Sequence, residues 1–166
     1  MIMFRQEYAN LSIFEGLDPK QLGLLSPFME EMRFSSDTGI FDQGQLADCL
    51  YILLEGEVII NYKPYDGPPL IVARIFPGGV FGWSSVLSHD QYSSGAVASH
   101  DCVAYRIRAQ SLQSICDCHP DTGRVLLERL AGVIAERLRN THASILNLLS
   151  QGIDANGSCS KRDGET

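Results

Sequence analysis

No run of about 18 consecutive apolar residues occurs in the sequence, so a membrane-spanning helix is not expected. Basic residues are too few to balance the acids. Against 20 Asp and Glu stand 13 Lys and Arg, and the net charge of −7 repels nucleic acid and gives no reason to expect binding to anionic lipid. The 5 cysteines, Cys49, Cys102, Cys116, Cys118 and Cys159, are odd in number and scattered, which is not a disulfide framework. Met1–Arg5 lacks the layout of a signal peptide, so the expected location is the cytoplasm, with these thiols reduced. No P-loop or dinucleotide fingerprint is present. Cys116-x-Cys118-His119 is too tightly spaced for the usual zinc knuckle and has no second cysteine pair nearby. It reads as a core Cys116 and a half-exposed loop Cys118. Gly82-Trp83-Ser84-Ser85-Val86 approaches a nucleophile elbow but ends in Val where Gly is required. The histidines, His89, His100, His119 and His142, form no H-x-H pair. No catalytic residue, metal or cofactor is assigned, and an enzyme is not expected.

What the sequence does contain is a series of short β signals followed by one long helical signal. Residues 5–15 carry only a faint helical pattern. Asp18-Pro19 is an N-cap followed by proline at the first helical position, and that helix is expected to run to about Ser26. Met32 and Phe34 alternate with Glu31 and Arg33, as on a strand. Turns then recur at Thr38-Gly39, Gln43-Gly44, Glu55-Gly56 and Asp66-Gly67-Pro68-Pro69. Between them lie Ile40–Asp42, Cys49–Leu54, Val58–Tyr62 and Leu70–Phe76. The spacing of Cys49–Leu54 and Val58–Tyr62 predicts a hairpin about Glu55-Gly56. With Val80-Phe81, Ser93–Ala98 and Cys102–Ile107 the total is roughly eight strands, which argues a sandwich or closed barrel.

At Ala109 the period changes. Leu112, Ile115 and Cys116 fit a short helix, and His119-Pro120-Asp121 breaks it and starts another. Leu126, Leu127, Leu130, Ile134, Leu138, Thr141, Ile145 and Leu148 then recur every three or four residues, which predicts a helix of roughly 30 residues with one apolar seam. Such a helix is too long to pack wholly on a domain of this size, and a seam near heptad spacing is expected to pair with its twin. Arg124, Arg129, Arg137 and Arg139 are interleaved with Glu128 and Glu136, and read as a solvated face rather than a nucleic-acid surface. The expected organisation is a β domain with N-terminal helices over residues 1–118, a dimerisation helix over 119–149 and a disordered polar tail over 150–166.

The stretch from Phe76 to Ala98 organises the β domain. Pro77-Gly78-Gly79 turns the chain, Val80-Phe81 ends a strand, Gly82 permits a sharp change of direction, and Trp83–Leu87 makes about one helical turn. A strand, a glycine and a helical turn with inward N–H groups form an anion site.

Four motifs extend this reading: Leu11-x-x-Phe14-x-x-Leu17, Tyr51-Ile52-Leu53-Leu54-Glu55-Gly56-Glu57-Val58, Pro77-Gly78-Gly79-Val80-Phe81-Gly82 and Ala135-Glu136-Arg137-Leu138-Arg139. On these motifs, residues 12–149 resemble the effector domain of the catabolite-activator and fumarate-nitrate-reductase regulators, whose phosphate-binding cassette corresponds to the stretch around Gly82. The resemblance implies a cyclic-nucleotide-binding-type fold: N-terminal helices, an eight-stranded β-roll (a jelly-roll-like double-stranded β-helix) and a long dimerising helix. In members that regulate transcription a helix-turn-helix domain follows. Ser150–Thr166 is too short to hold one, so the expectation is a piece of a longer regulator or a free-standing domain, with no DNA binding by this chain alone.

The nucleotide-binding members carry Glu directly after the cassette glycine, for the ribose 2′-hydroxyl, and Arg before a Ser or Thr, for the cyclic phosphate. Trp83 and Ser93 stand at those positions here. Each change loses a charged hydrogen bond of roughly 1.5–3 kcal/mol, together on the order of a thousandfold or more in affinity. Thr141 falls where those members place the first residue of a Thr-Ser pair near the base, and His142 departs from the second. The expected ligand-binding set is Phe81, Gly82, Trp83, Ser84, Ser85, Ser93, Ser94, Thr141 and His142. The Ser84 and Ser85 N–H groups and the serine hydroxyls are left to hold a small anion weakly, and an uncharged or weakly acidic metabolite is the expected effector. The function this implies is a homodimeric, effector-sensing regulatory domain that does not use cyclic AMP. The alternative is a ligand-free protein-interaction scaffold on the same roll.

Overall fold

The strand Cys49–Glu55 is buried at every position but its last. Alternate residues of a strand point to opposite faces, so such burial requires cover on both sides of its sheet. The computed structural model describes residues 9–87 and 90–156, giving the backbone alone for 144, 145, 148 and 151–156. Two four-stranded antiparallel sheets face each other. One is ordered β1 (Met29–Phe34), β8 (Cys102–Arg108), β3 (Cys49–Glu55), β6 (Val80–Phe81). The other is ordered β2 (Gly39–Phe41), β7 (Gly95–Ala98), β4 (Val58–Tyr62), β5 (Leu70–Ile75). Tyr51, Leu53, Val58, Ile75, Phe81 and Ala96 belong to the core between them. The other face of the first sheet presents Leu50, Ile52 and Ile107 to the helical layer, where Phe14, Ile115 and Leu126 meet them. This is the expected eight-stranded roll with flanking helices.

The helices form where the sequence places their signals. In α1 (Pro19–Leu25) the Asp18 carboxylate accepts the Gln21 N–H at 2.8 Å, and the Gln21 side chain accepts the Asp18 N–H at 3.0 Å. Two orphan amides are thereby satisfied behind an N1 proline. Within the faint 5–15 pattern only Ser12–Phe14 forms a 3-10 turn among the described residues, and positions 1–8 lie outside them. Helix α2 spans Ala109–Cys118 and α3 spans Pro120–Asn156.

Three expectations need correction. Strands β3 and β4 are not a hairpin, because β3 pairs with β6 and β8 while β4 pairs with β5 and β7. At Gly56, φ is 89°, and a Cβ there would strike the Asp101 carbonyl and the Cys102 sulfur. The chain crosses from one sheet to the other at this point, with the Cys102 thiol donating to the carbonyls of Glu57 at 3.2 Å and His100 at 3.0 Å. The long helix does not stop at Leu149 but continues to Asn156, so the first part of the expected tail is helical, and 157–166 lie outside the described residues. The boundary at 118/119 also moves: Met1–Val133 form one compact unit and Ile134–Thr166 a second. Thr122, Leu126 and Leu130 are buried in the first unit, which ties the opening turns of α3 to the roll. Arg129 joins the same packing by donating to the Glu15 carbonyl at 2.8 Å. It is therefore part of a tertiary contact and not only of a solvated face. No described helix is long and apolar enough to cross a membrane.

Candidate functional site

The cassette begins where β6 ends. Gly82 adopts a left-handed φ of 76°, and a Cβ there would lie 2.9 Å from the Cys49 carbonyl oxygen and 3.1 Å from the Tyr51 ring, so glycine is required twice over. Trp83–Val86 then form a 3-10 turn. Its N–H groups close on the turn itself: Ser85 N–H donates to the Gly82 carbonyl at 3.3 Å, and Leu87 N–H is shared between the Trp83 and Ser84 carbonyls at 3.2 and 3.3 Å.

The serines converge as expected, but largely on one another. The Ser85 hydroxyl donates to the Gly82 carbonyl at 2.9 Å. The buried Ser84 hydroxyl accepts the Ser93 N–H at 3.4 Å, and the two hydroxyls lie 3.4 Å apart. This ties the 3-10 turn to the approach of β7. The expectation that the Ser85 N–H and these hydroxyls stand ready for an anion is corrected accordingly, because the turn's own carbonyl and the Ser84–Ser93 contact engage them. Ser93 is exposed, and Ser94, Gly82, Trp83 and Ser85 are half-buried.

The trailing limb, Asp90–Tyr92, is paired with the loop before β3. Ala47 N–H donates to Asp90 O, Tyr92 N–H to Gln45 O and Gly44 N–H to Tyr92 O, each at 2.9 Å, and Leu46 bridges Gln91. Beneath it lies an aromatic group that the sequence reading missed. Phe41 stacks on Tyr92 with centroids 3.8 Å apart, and Tyr51 stacks on Phe81 at 5.1 Å. Phe41 joins the two pairs, at 5.7 Å from Tyr51 and 6.2 Å from Phe81. Phe81, expected to line the ligand, is thus a core residue at 1% exposure. Burial pushes the Tyr51 phenol up to about 12 and the Cys49 thiol up to about 11, the latter helped by Asp48, so both stay neutral. The signal available in the sequence was an aromatic residue beside each turn facing the cassette: Phe41 before Gln43-Gly44, Phe81 before Gly82, and Tyr92 before Ser93.

Thr141 and His142 lie in the second unit and are exposed on this chain. Cys116 is half-buried, its thiol pushed up by burial and then by Asp117, and Cys118 is exposed. Among the described residues no group of three His, Cys, Asp or Glu is placed to hold a metal, and His89 and Cys159 fall outside those residues.

Residues 31–119 match the cyclic nucleotide-binding domain family. Over 141 residues the chain is 26% identical to the CRP-like cAMP-activated global transcriptional regulator of Mycobacterium tuberculosis, a match covering 85% of this chain and 61% of that protein. The crystal structure of the Thermus thermophilus catabolite activator protein superposes with a TM-score of 0.69 at 27% identity, over 84% of this chain and 63% of that one. A cyclic nucleotide-binding domain from Methylobacillus flagellatus gives 0.77 at 22% identity, over 82% and 80%, a likeness of fold alone. The chain thus spans about three-fifths of the curated regulator's length.

Proposed function

The chain belongs to the cyclic nucleotide-binding domain family, in its Crp/Fnr-like branch, and on that premise we propose that it is an effector-sensing, dimerising regulatory domain whose effector is not cyclic AMP. The observation that carries the reading is the cassette itself. Trp83 and Ser93 occupy the positions at which nucleotide-binding members place a ribose-reading acid and a phosphate-reading base, and the remaining hydroxyls of Ser84, Ser85 and Ser93 are bonded within the cassette. What remains suits a small uncharged or weakly acidic metabolite better than a cyclic phosphate. Titration calorimetry with cyclic AMP and cyclic GMP is expected to show no binding up to about millimolar, the range of a few weak neutral hydrogen bonds. A micromolar dissociation constant for either nucleotide would refute the reading. The second reading, a ligand-free scaffold for a protein partner, is favoured by the aromatic group of Phe41, Tyr51, Phe81 and Tyr92, which fills the roll beneath the cassette.

The proposed assembly is a homodimer through α3. Leu138, Leu146 and Leu149 are exposed in the second unit, with Leu138 at 64%, and an apolar row of this length in water calls for a partner. Replacing Ile134 and Leu138 by Asp is expected to give folded monomers in light scattering, and dimers surviving both changes would sink the idea. The net charge of −7 opposes DNA binding by this chain alone, so specific binding of a short duplex at moderate salt would contradict that part of the proposal.

A further inference from the structure

Both ends of the cassette meet at one peptide unit, that of Cys49. At the leading end Gly82 passes so close that a Cβ would lie 2.9 Å from the Cys49 carbonyl oxygen. At the trailing end the Tyr92 hydroxyl donates to the same oxygen at 2.7 Å and accepts the Cys49 N–H at 3.2 Å. The ring is 3% exposed and lies 16° from the plane of Phe41. Burial holds the phenol well above its usual range, so it remains a donor. Cys49 opens β3 opposite Arg108 of β8, so the anchor belongs to the sheet covered on both faces.

We infer that Tyr92 is the positioning residue of the cassette: by bridging the N–H and C=O of Cys49 it fixes the limb that leads into Ser93, and through Ser93 the position of Ser84. The inference rests on reading residues 82–95 as the effector site. Its consequence is a site that keeps one geometry whether or not it is filled. An effector can displace the trailing limb only by breaking two hydrogen bonds inside the core and parting two stacked rings. The Trp83–Leu87 turn, which closes on its own carbonyls, is the part left to respond.

Hydrogen–deuterium exchange on the whole chain, without nucleotide, tests this. Tyr92→Phe keeps the ring and removes both bonds. Amide exchange over 82–95 is expected to rise about tenfold, while exchange over β1 and β8 stays within about twofold of the unsubstituted chain. Unchanged exchange over 82–95, or an equal rise in β1 and β8, would mean that Tyr92 is ordinary core packing and would overturn the inference. A second arm uses Tyr92→Gly with 4-methylphenol or toluene. The phenol is expected to restore slow exchange over 82–95 and toluene to restore less, because only the phenol can bridge Cys49. Equal recovery with both overturns the bridge, and if the glycine variant folds with neither, the Tyr92→Phe profile decides alone. Micromolar cyclic AMP binding by the unsubstituted chain would refute the proposed function without altering this exchange profile, so the two claims fail separately.

Discussion

Strands β3 and β5 are built from the same kinds of residue and meet opposite fates. Cys-Leu-Tyr-Ile-Leu-Leu in β3 is wholly buried, whereas Leu70, Ile71 and Val72 of β5 are 53, 57 and 44% exposed. The difference lies in the layers and not in the strands. The first sheet has the roll interior on one face and helices on the other, while β5 is the edge strand of the second sheet, bonded to β4 alone. Hydrophobic runs in this sequence therefore locate strands but do not say how deeply each is covered. The covered sheet supplies the fixed parts of the site, Cys49 and Phe81. The second sheet supplies β7, which carries the chain onward from Ser93 and Ser94.

Three substitutions test that division, from the largest expected effect to the smallest. Leu53→Ala, at a side chain with no exposure, is expected to lower unfolding free energy by about 2–5 kcal/mol in urea titration. A cost near zero would mean that the covered sheet is not the scaffold. Trp83→Glu combined with Ser93→Arg is expected to tighten cyclic AMP binding tenfold or more, since one charged hydrogen bond of roughly 1.5–3 kcal/mol is enough for that. No gain in calorimetry would show that the aromatic group beneath the cassette, and not missing charge, excludes the nucleotide, and would shift the assignment to the scaffold reading. Ile71→Ala on β5 is expected to change stability by no more than about 0.5 kcal/mol. A cost matching that of Leu53→Ala would reveal that β5 is covered in solution, and the contrast between the sheets would fall.

Much of the roll was legible in the sequence because its turns announce themselves. Gly39, Gly44, Gly56 and Gly78 mark the breaks, and the strands between them lie within a residue or two of where alternation and β-branching place them. Pairing was less legible. Glu55-Gly56 has the residues of a hairpin turn, but the same left-handed glycine also serves a crossing between sheets, and only the partners in β8 and β7 distinguish the two. The seam of α3 was read as one stripe. Leu126 and Leu130 in fact face the roll's helical layer, while Leu127 beside them is exposed. A sequence period cannot separate two adjoining faces that serve different neighbours. In the cassette the residue types were visible and their bonding was not, because a serine hydroxyl satisfied by Ser93 or by the Gly82 carbonyl looks in sequence like one awaiting a ligand.

The pairing of β1 with β8 bears on how the chain is made. Met29 lies opposite Ile107 and Phe34 opposite Cys102, so the first strand to leave a ribosome waits for the last before it gains its neighbour. Strand β3 also leans on β8 along most of its length and is in the same position. While residues between Gly39 and Ala98 emerge, the apolar faces of Leu50 and Ile52 have no finished sheet to join and no helical layer to cover them. Closure of the roll is therefore a late, non-local event in synthesis, and chaperone capture during translation would protect the interval before Arg108 appears.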